Sequence, residues 1–403
     1  MTRYLLKTNV QTDFVIIGGG IAGLWLLNRL RQSGYCAILL ESNTLGGGQT
    51  NKSQGIIHGG MKFALQGSVT SAAQAIAAMP SLWQNCLQGH GDIDLSNVPV
   101  LSKNQFLWST GSLTSKLAGF FAGLTLKGNV QELKKKDFPD IFQHPQFKGQ
   151  VYSLDEIVID ANALVRELVK PNQDAIFKID PIQDITLDER GHLTALTVQA
   201  SPLQSMTIQA QKYIFTAGAG NEVLLNQLKN QNLSMQRRPL RMVIAKTDFS
   251  YPLYAHCLGL SAVPRITITT HQAQDGKTVW YMGGQIAEEG VKHTNEEQIQ
   301  IARKELQTLF PWLDFSNVQL TSFLIDRAEA LQADGKRPDS FYFKEMENII
   351  AAWPTKLAFA PQLANDLIAH FHKMQIKPGI CNIRPLRAWP IPPFAKPVWD
   401  ELL

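Results

Sequence analysis

Apolar residues near the start of the chain change period in a way that predicts a strand, a helix and a second strand. Asp13-Phe14-Val15-Ile16-Ile17 is a β-branched apolar run without polar alternation, the pattern of a strand covered on both faces. The run stops at Gly18-Gly19-Gly20-Ile21-Ala22-Gly23. Leu24, Leu27 and Leu30 then recur at helical spacing and predict a helix from Ile21 to Ser33, with Gly34 as its left-handed cap. Cys36 to Leu40 reads as the next strand, ending in Glu41. Further along, Ile208 to Phe215, Leu240 to Lys246, Arg265 to Thr270, Val279 to Gly284 and Asn348 to Ala352 read as strands, with Asp275-Gly276 as a hairpin turn. Asn295 to Phe310 has the charge spacing of an exposed amphipathic helix, and Leu357 to Ala364 reads as a last helix.

The first unit carries GxGxxG chemistry. Gly18 allows a tight turn, Gly20 lets the backbone approach a pyrophosphate, and Gly23 lets helix pack on strand. The helix start, with Ile21 and Ala22, offers N–H groups and a positive dipole end to phosphates. Glu41 stands 18 residues after Gly23, where an acid accepts hydrogen bonds from the adenosine ribose and disfavours a 2′-phosphate.

The residues after Glu41 bear on which dinucleotide is bound. Leu45-Gly46-Gly47-Gly48-Gln49-Thr50 and Ser53-Gln54-Gly55-Ile56-Ile57-His58-Gly59-Gly60-Met61-Lys62-Phe63 form a second glycine-rich segment that a simple NAD domain does not need. This stretch resembles the D-amino-acid oxidase superfamily of FAD enzymes, which includes glycine oxidases. It is most similar to the FAD-linked glycerol-3-phosphate dehydrogenase and 2-hydroxyacid dehydrogenase branches. The resemblance implies FAD as cofactor, with Ser42 among its contacts and Gly48, Gln49, Thr50, Ser53, Gln54, Gly55 and His58 in the segment beside the ribityl chain and the flavin ring. Val151 to Leu154 with Val158 to Leu164 resembles the return into the FAD lobe. Thr216-Ala217-Gly218-Ala219-Gly220 resembles the second nucleotide-contacting turn, which makes Gly218 a contact, and Arg238-Pro239-Leu240-Arg241 resembles the crossover into the substrate lobe. Near the C-terminus the family's glycine turn is replaced by Trp353-Pro354-Thr355-Lys356. Thr355, Lys356 and Leu357 are placed at the flavin, with Lys356 near N1 and O2.

The same resemblance names catalytic candidates. Arg327, at the end of the apolar run Ser322 to Ile325 and followed by Asp334-Gly335-Lys336, is similar to the arginine that clamps the substrate's anionic group. Arginine suits that role because its planar fork pairs a carboxylate or phosphate through two parallel hydrogen bonds. Arg265 and Arg337 are rival clamps, and Asp326 or Glu329 could instead engage Arg327 structurally. His58 matches a position with a covalent flavin link in relatives similar to dimethylglycine dehydrogenase, and with plain histidine in the glycerol-3-phosphate dehydrogenases.

Composition narrows the classes without choosing among them. The 403 residues exceed what one core normally serves, and 44% hydrophobic with 18% charged residues describes a globule rather than a disordered or fibrous chain. A net charge of +4, scattered apart from Lys134-Lys135-Lys136 on what reads as a solvated face, gives no argument for a nucleic-acid partner. Cys36, Cys86, Cys257 and Cys381 lie far apart without CxxC, so neither a disulfide framework nor a zinc site is expected, and a reducing, cytoplasmic location is expected with them. No export signal is expected at the N-terminus, and the most apolar uncharged stretch, Phe14 to Asn28, falls short of the roughly 20 residues a membrane span needs and is interrupted by three glycines, although peripheral membrane contact stays open. His370 and His372 are too unfavourably spaced for a metal pair, and no metal site is expected. Trp389 to Phe394 reads as a tail packed over the surface.

The expected fold is therefore α/β. A Rossmann-type FAD-binding lobe (1–80, 150–235 and 330–375) is interleaved with an α+β substrate lobe on a mostly antiparallel sheet (81–149 and 236–329), and 376–403 forms a C-terminal tail. The expected activity is removal of a hydride from the C–H next to an amine or hydroxyl of a small anionic amino or hydroxy acid, with delivery to flavin N5 and then to oxygen or a quinone. A tRNA-modifying flavoprotein of the same superfamily and an FAD-holding subunit without turnover remain alternatives.

Overall fold

The computed structural model describes residues 8–59, 76–110, 130–182, 185–201, 204–228, 233–259, 261, 263–332, 335, 338–379 and 381–403. Its first elements are the expected unit: β1 (Thr8–Ile17), α1 (Ile21–Gln32) and β2 (Ala37–Glu41). β1 and β2 run parallel, with Phe14 opposite Ala37 and Ile17 opposite Leu40. The unbroken apolar run of β1 has a simple cause. Phe14 and Ile16 pack into one core layer with Leu24, Trp25, Leu27 and Leu30 of α1, whereas Val15 and Ile17 pack into a second layer with Tyr213 and Phe215. Gly34 closes α1 at φ 83°, a conformation that costs glycine little.

Around β1 grows the first large sheet. Its strand order is Ile185–Leu187, Leu193–Ser201, Gln204–Phe215, β1, β2 and Ile176–Lys178. Strand Ile349–Trp353 also pairs in parallel with the end of Gln204–Phe215 and forms a hairpin with Tyr342–Met346. One face of the parallel centre is covered by α1 and the late helix Ala360–Lys373, and the other by Leu224, Leu225, Leu386 and Trp389, so the sheet is buried on both sides.

A second sheet takes the order Gln319–Ala330, Met235–Thr247, Thr278–Gly283, Ile266–Gln272, Ala255–Cys257, Gln105–Ser109, Gln150–Leu154 and Val130–Glu132. Every pairing is antiparallel except that of Ala255–Cys257 with Gln105–Ser109. Gly276, at φ 82°, makes the expected hairpin turn. Gln150–Leu154, expected to lead the return to the first lobe, is thus a strand of the second sheet. The return begins at Ile157–Ile159, which pairs with Ile56–Ile57. One face of the second sheet is covered by helix Asn295–Leu309, started by a capping box of Thr294 and Glu297 and seated through Ala302, Leu306 and Leu309 on Trp108, Trp280 and Phe310. The other face receives Val398 and Trp399 of the C-terminal helix against Met242, Ile244, Val279 and Tyr281.

That tail corrects the cysteine reading. Cys36 and Cys381 form a disulfide, with Cα atoms 5.6 Å apart across 345 residues of sequence. The tail returns antiparallel to the start of β1, where Gln11 and Asn382 exchange N–H···O bonds of 3.3 and 2.8 Å. Asp13 holds both segments, accepting from the N–H of Cys36 at 2.8 Å and of Gly379 at 2.7 Å. Spacing rules detect cysteines paired locally, and this pair is made by tertiary return. The cysteines therefore give no argument for a reducing location. Cys86 and Cys257 are unbonded and buried, and burial pushes the Cys257 thiol up to about 12. None of the described helices is long and apolar enough to cross a membrane.

His271 lies under the tail, its ring stacked on Trp399 at 4.3 Å, and burial lowers its pKa to about 3. Its ordinary value is near 6.5, so between the two the unfolded chain binds the proton that the folded one refuses. Stability contributed by neutral His271 is therefore present above about pH 6.5 and lost as pH falls toward 3. At roughly 1.4 kcal/mol per unit, His271→Phe should lose about 2 kcal/mol less than the native chain when urea unfolding is compared at pH 6.5 and 5. Equal losses would rule this assignment out.

Candidate functional site

A cleft of about 700 Å³ runs between the two sheets, a size suited to a dinucleotide. Its walls come from the glycine turn (Gly18, Gly20, Ile21, Ala22), Glu41, the second glycine-rich segment (Gly48, Gln49, Thr50, Ser53, Gln54), Thr216 to Ala219, and Thr355 to Leu357. Leu240, Met242 and Leu324 to Arg327 close it from the second sheet.

The floor is built by close backbone approach. Gly18 has φ 114°, and a Cβ there would come within 2.6 Å of the Ala217 backbone. A Cβ on Gly23 would lie 2.1 Å from the Gly18 carbonyl oxygen. By contrast, a Cβ on Gly48 or Gly218 would meet nothing within 4 Å, so these two glycines face open space at the cleft. α1 starts at Gly20 with no side-chain cap and no acid in its first turn, although the Thr50 hydroxyl accepts from Ile21 N–H at 3.0 Å. An exposed helix start of this kind is an anion seat.

Glu41 stands at the nucleotide end. Its carboxylate accepts from the N–H groups of Gly19 and Asn43, both at 2.6 Å, so it organises the turn as well as facing the cleft. At the far end, Thr355 adopts φ 58°, a left-handed conformation that a β-branched residue rarely takes. Its hydroxyl donates to the Ser340 carbonyl at 3.0 Å. Lys356 comes next on the cleft wall, its ammonium 5.3 Å from the Phe359 ring centre, at the start of the turn Leu357–Phe359 that leads into helix Ala360–Lys373.

The segment 49–54 is stitched to the second sheet. Gln49 accepts from Ala328 N–H at 2.7 Å, Gln54 donates to the carbonyls of Tyr281 (2.9 Å) and Thr267 (3.2 Å), and the Tyr281 hydroxyl donates to the Lys52 carbonyl at 2.8 Å.

Arg327 reaches the cleft from strand Gln319–Ala330, beside Gln49. Its Nε donates to the Arg238 carbonyl at 3.1 Å, and the carboxylate it meets among the described residues, Glu288, is 3.4 Å away and 41% exposed. Neither suspected acid engages it: Glu329 pairs with Arg238 through two 2.7 Å bonds and Asp326 pairs with Arg237 at 3.0 Å. Burial, reinforced by the Arg238 charge, lowers the Arg327 pKa. The rival Arg265 is excluded as a cleft residue, since its guanidinium pairs with Glu305 on helix Asn295–Leu309. Sequence could not separate these arginines because the acids that claim them come from other elements. Arg337, Asp334, Lys336 and Gly60 to Phe63 lie outside the described residues.

Ser42, Gly23, Gly55 and His58 do not line the cleft. Gly55 instead permits a close crossing of Ile159, whose carbonyl oxygen would be 2.1 Å from a Cβ. His58 turns toward Glu156, with Nδ1 3.1 Å from Oε2, and toward His256, whose ring lies 6.2 Å away. Sequence reading missed Glu156 and His256, which no motif links to His58, and Lys52 and Asn43, which sit within or beside the glycine-rich segment and line the cleft.

Glycine floor, uncapped helix start and extended cleft define a dinucleotide-binding α/β protein whose residues fit FAD. The chain belongs to the FAD dependent oxidoreductase family, whose model matches residues 13–343. It is 44% identical over 392 residues to a probable FAD-dependent oxidoreductase of Pseudomonas aeruginosa, covering 97% of this chain and 98% of that protein. The crystal structure of that relative superposes with a TM-score of 0.84 over 98% of this chain and 99% of its own. The fold is shared more distantly with FAD-bound L-α-glycerophosphate oxidase from Mycoplasma pneumoniae (TM-score 0.61, 15% identity, 97% of each chain). Glycine oxidase from Geobacillus kaustophilus is similar to a comparable degree (0.62, 16%, covering 94% of this chain and 98% of that one). The protein is an oxidoreductase and FAD is its cofactor.

Glu41→Ala should weaken FAD by about 1.5–3 kcal/mol, the range for a charge-assisted acceptor, or roughly 10- to 150-fold in Kd. Fluorescence titration of the apoprotein measures it, and an unchanged Kd would remove Glu41 from the nucleotide site.

Proposed function

We propose that the protein oxidises a small anionic substrate, an amino acid or hydroxy acid, at the C–H next to its amine or hydroxyl. The supporting observation is Arg327 on the cleft wall: a guanidinium partly desolvated, held through Nε by a carbonyl, and paired among the described residues with one carboxylate, Glu288, through a single 3.4 Å contact to a side chain that is 41% exposed. A substrate carboxylate or phosphate would pair the guanidinium fork through two hydrogen bonds, which the single contact with Glu288 does not.

Bound FAD supplies the hydride acceptor. Arg327 binds the anionic group and fixes the substrate's orientation, and its strand is tied through Ala328 to Gln49, so the clamp and the cofactor segment keep one geometry. Lys356 brings positive charge to the pyrimidine edge, together with the start of the turn after it. Oxygen or a quinone is the proposed final acceptor.

Anaerobic bleaching of the bound flavin by a panel of amino and hydroxy acids tests this reading. Bleaching by at least one anionic member is expected, and failure of all would favour an FAD-holding role. Peroxide formation in air then distinguishes oxygen from quinone as acceptor. Lys356→Met should lower the flavin reduction potential measured against reference dyes, because a cation favouring negative charge has been removed. An unchanged potential would place the ammonium away from the ring.

A further inference from the structure

Arg327 shares one face of the second sheet with a strip of apolar side chains. In the antiparallel pair Met235–Thr247 and Gln319–Ala330, Arg238 stands opposite Arg327, Leu240 opposite Ile325 and Met242 opposite Phe323. Alternate residues of a strand share a face, so Arg327, Ile325 and Phe323 lie on one side at steps of about 7 Å, with Arg238, Leu240 and Met242 beside them. Arg327, Ile325, Leu240 and Met242 all line the cleft. Past Arg327, toward the end of its strand, this face is closed: Glu329 is 1% exposed under two bonds from Arg238, and neither residue lines the cleft. In the other direction the face remains apolar as far as Phe323, which stacks on Tyr281 at 6.2 Å, where Trp399 of the C-terminal helix covers it. A molecule whose anionic group is held by Arg327 therefore meets Ile325 and Leu240 next on this sheet.

We infer that the substrate is a monoanionic acid with an apolar side chain, which rests on Leu240 and Ile325 while Arg327 holds the carboxylate. The inference deepens the reading above and rests on it. In an amino or hydroxy acid the carboxylate and the side chain leave the same carbon, the one that is oxidised. An aliphatic side chain of three or four carbons, or an aromatic one, spans the step of about 7 Å from the guanidinium to the apolar pair. Contact there removes apolar surface of both partners from water. A second carboxylate laid on the strip would lose hydration and find no donor in it. Dicarboxylic acids and phosphate esters are therefore disfavoured, and an acid as small as glycine leaves the strip uncovered. Lys52, also on the cleft wall, offers a dianion the rival arrangement, so the test includes one.

The test is calorimetric titration of the FAD-loaded protein with carboxylates that carry no oxidisable amine or hydroxyl: acetate, isocaproate and glutarate. Each buried CH₂ favours binding roughly fourfold, so isocaproate should bind about 30-fold or more tighter than acetate, and tighter than glutarate. Leu240→Asn keeps the side-chain length and removes its apolar end, and should lower the ratio of isocaproate to acetate affinity about tenfold. Ile325→Thr, on the facing strand, should lower the same ratio and serves if Leu240→Asn does not fold. Equal affinities for isocaproate and acetate, or tighter binding of glutarate, would overturn the inference and leave the anion clamp standing. So would an unmoved ratio in Leu240→Asn accompanied by a shifted flavin spectrum, since Leu240 would then cover the cofactor. Failure of all three carboxylates to bind would instead remove the clamp itself, and this inference with it.

Discussion

Arg327→Lys should leave FAD bound and cut kcat/KM for the anionic substrate by roughly 10²-fold or more, since loss of a bidentate pair must exceed about 1.4 kcal/mol per decade. Lysine keeps the charge but loses the planar fork and the separate Nε that donates to the Arg238 carbonyl, so one ammonium would have to serve both that carbonyl and the substrate without two parallel hydrogen bonds. The flavin spectrum should not change, because the contact between Gln49 and Ala328 is made by backbone N–H. The measurement is steady-state turnover of whichever acid bleaches the flavin. Native efficiency in Arg327→Lys would move the clamp to another cation, Arg337 first, since Arg265 is committed to Glu305.

Gly23→Ala should abolish retention of FAD through gel filtration. The added methyl would lie 2.1 Å from the Gly18 carbonyl oxygen and 2.7 Å from the Thr216 hydroxyl. One obstacle is the backbone of the nucleotide turn itself, and the other belongs to the strand end that pairs with β1, so neither yields like a flexible side chain. Overpacking costs about 1–3 kcal/mol and occasionally more, and here relief requires α1 or the turn to move away from the pyrophosphate seat. A loss of FAD affinity of about 10²-fold or more is expected, with a lower melting temperature. Retention of stoichiometric FAD by Gly23→Ala would show that α1 does not need this closeness of approach.

The legible part of the site was local. Gly18, Gly20, Gly23 and Glu41 could be read because one strand, one turn, one helix and one strand place them within about 30 residues, where periodicity and turn chemistry act directly. Thr355 shows the limit of such reading. The sequence shows only that Trp353 to Lys356 replace a glycine turn, whereas the structure puts Thr355 there in the left-handed backbone region, which a β-branched residue gives no reason to expect.

From sequence alone came the nucleotide unit, about half of the strands of the two large sheets and the segment lining the cleft, because each depends on contacts between neighbours in the chain. Tertiary structure alone decided which arginine faces the cleft, since Glu305, Glu329 and Asp326 claim other guanidinium groups across strands and helices. It also brought His58, Glu156 and His256 together and bonded Cys36 to Cys381. The physical reason is common to all three: ion pairs, hydrogen bonds and disulfides act over a few ångströms, and folding sets those separations between residues 40 to 345 positions apart, where no sequence period reaches.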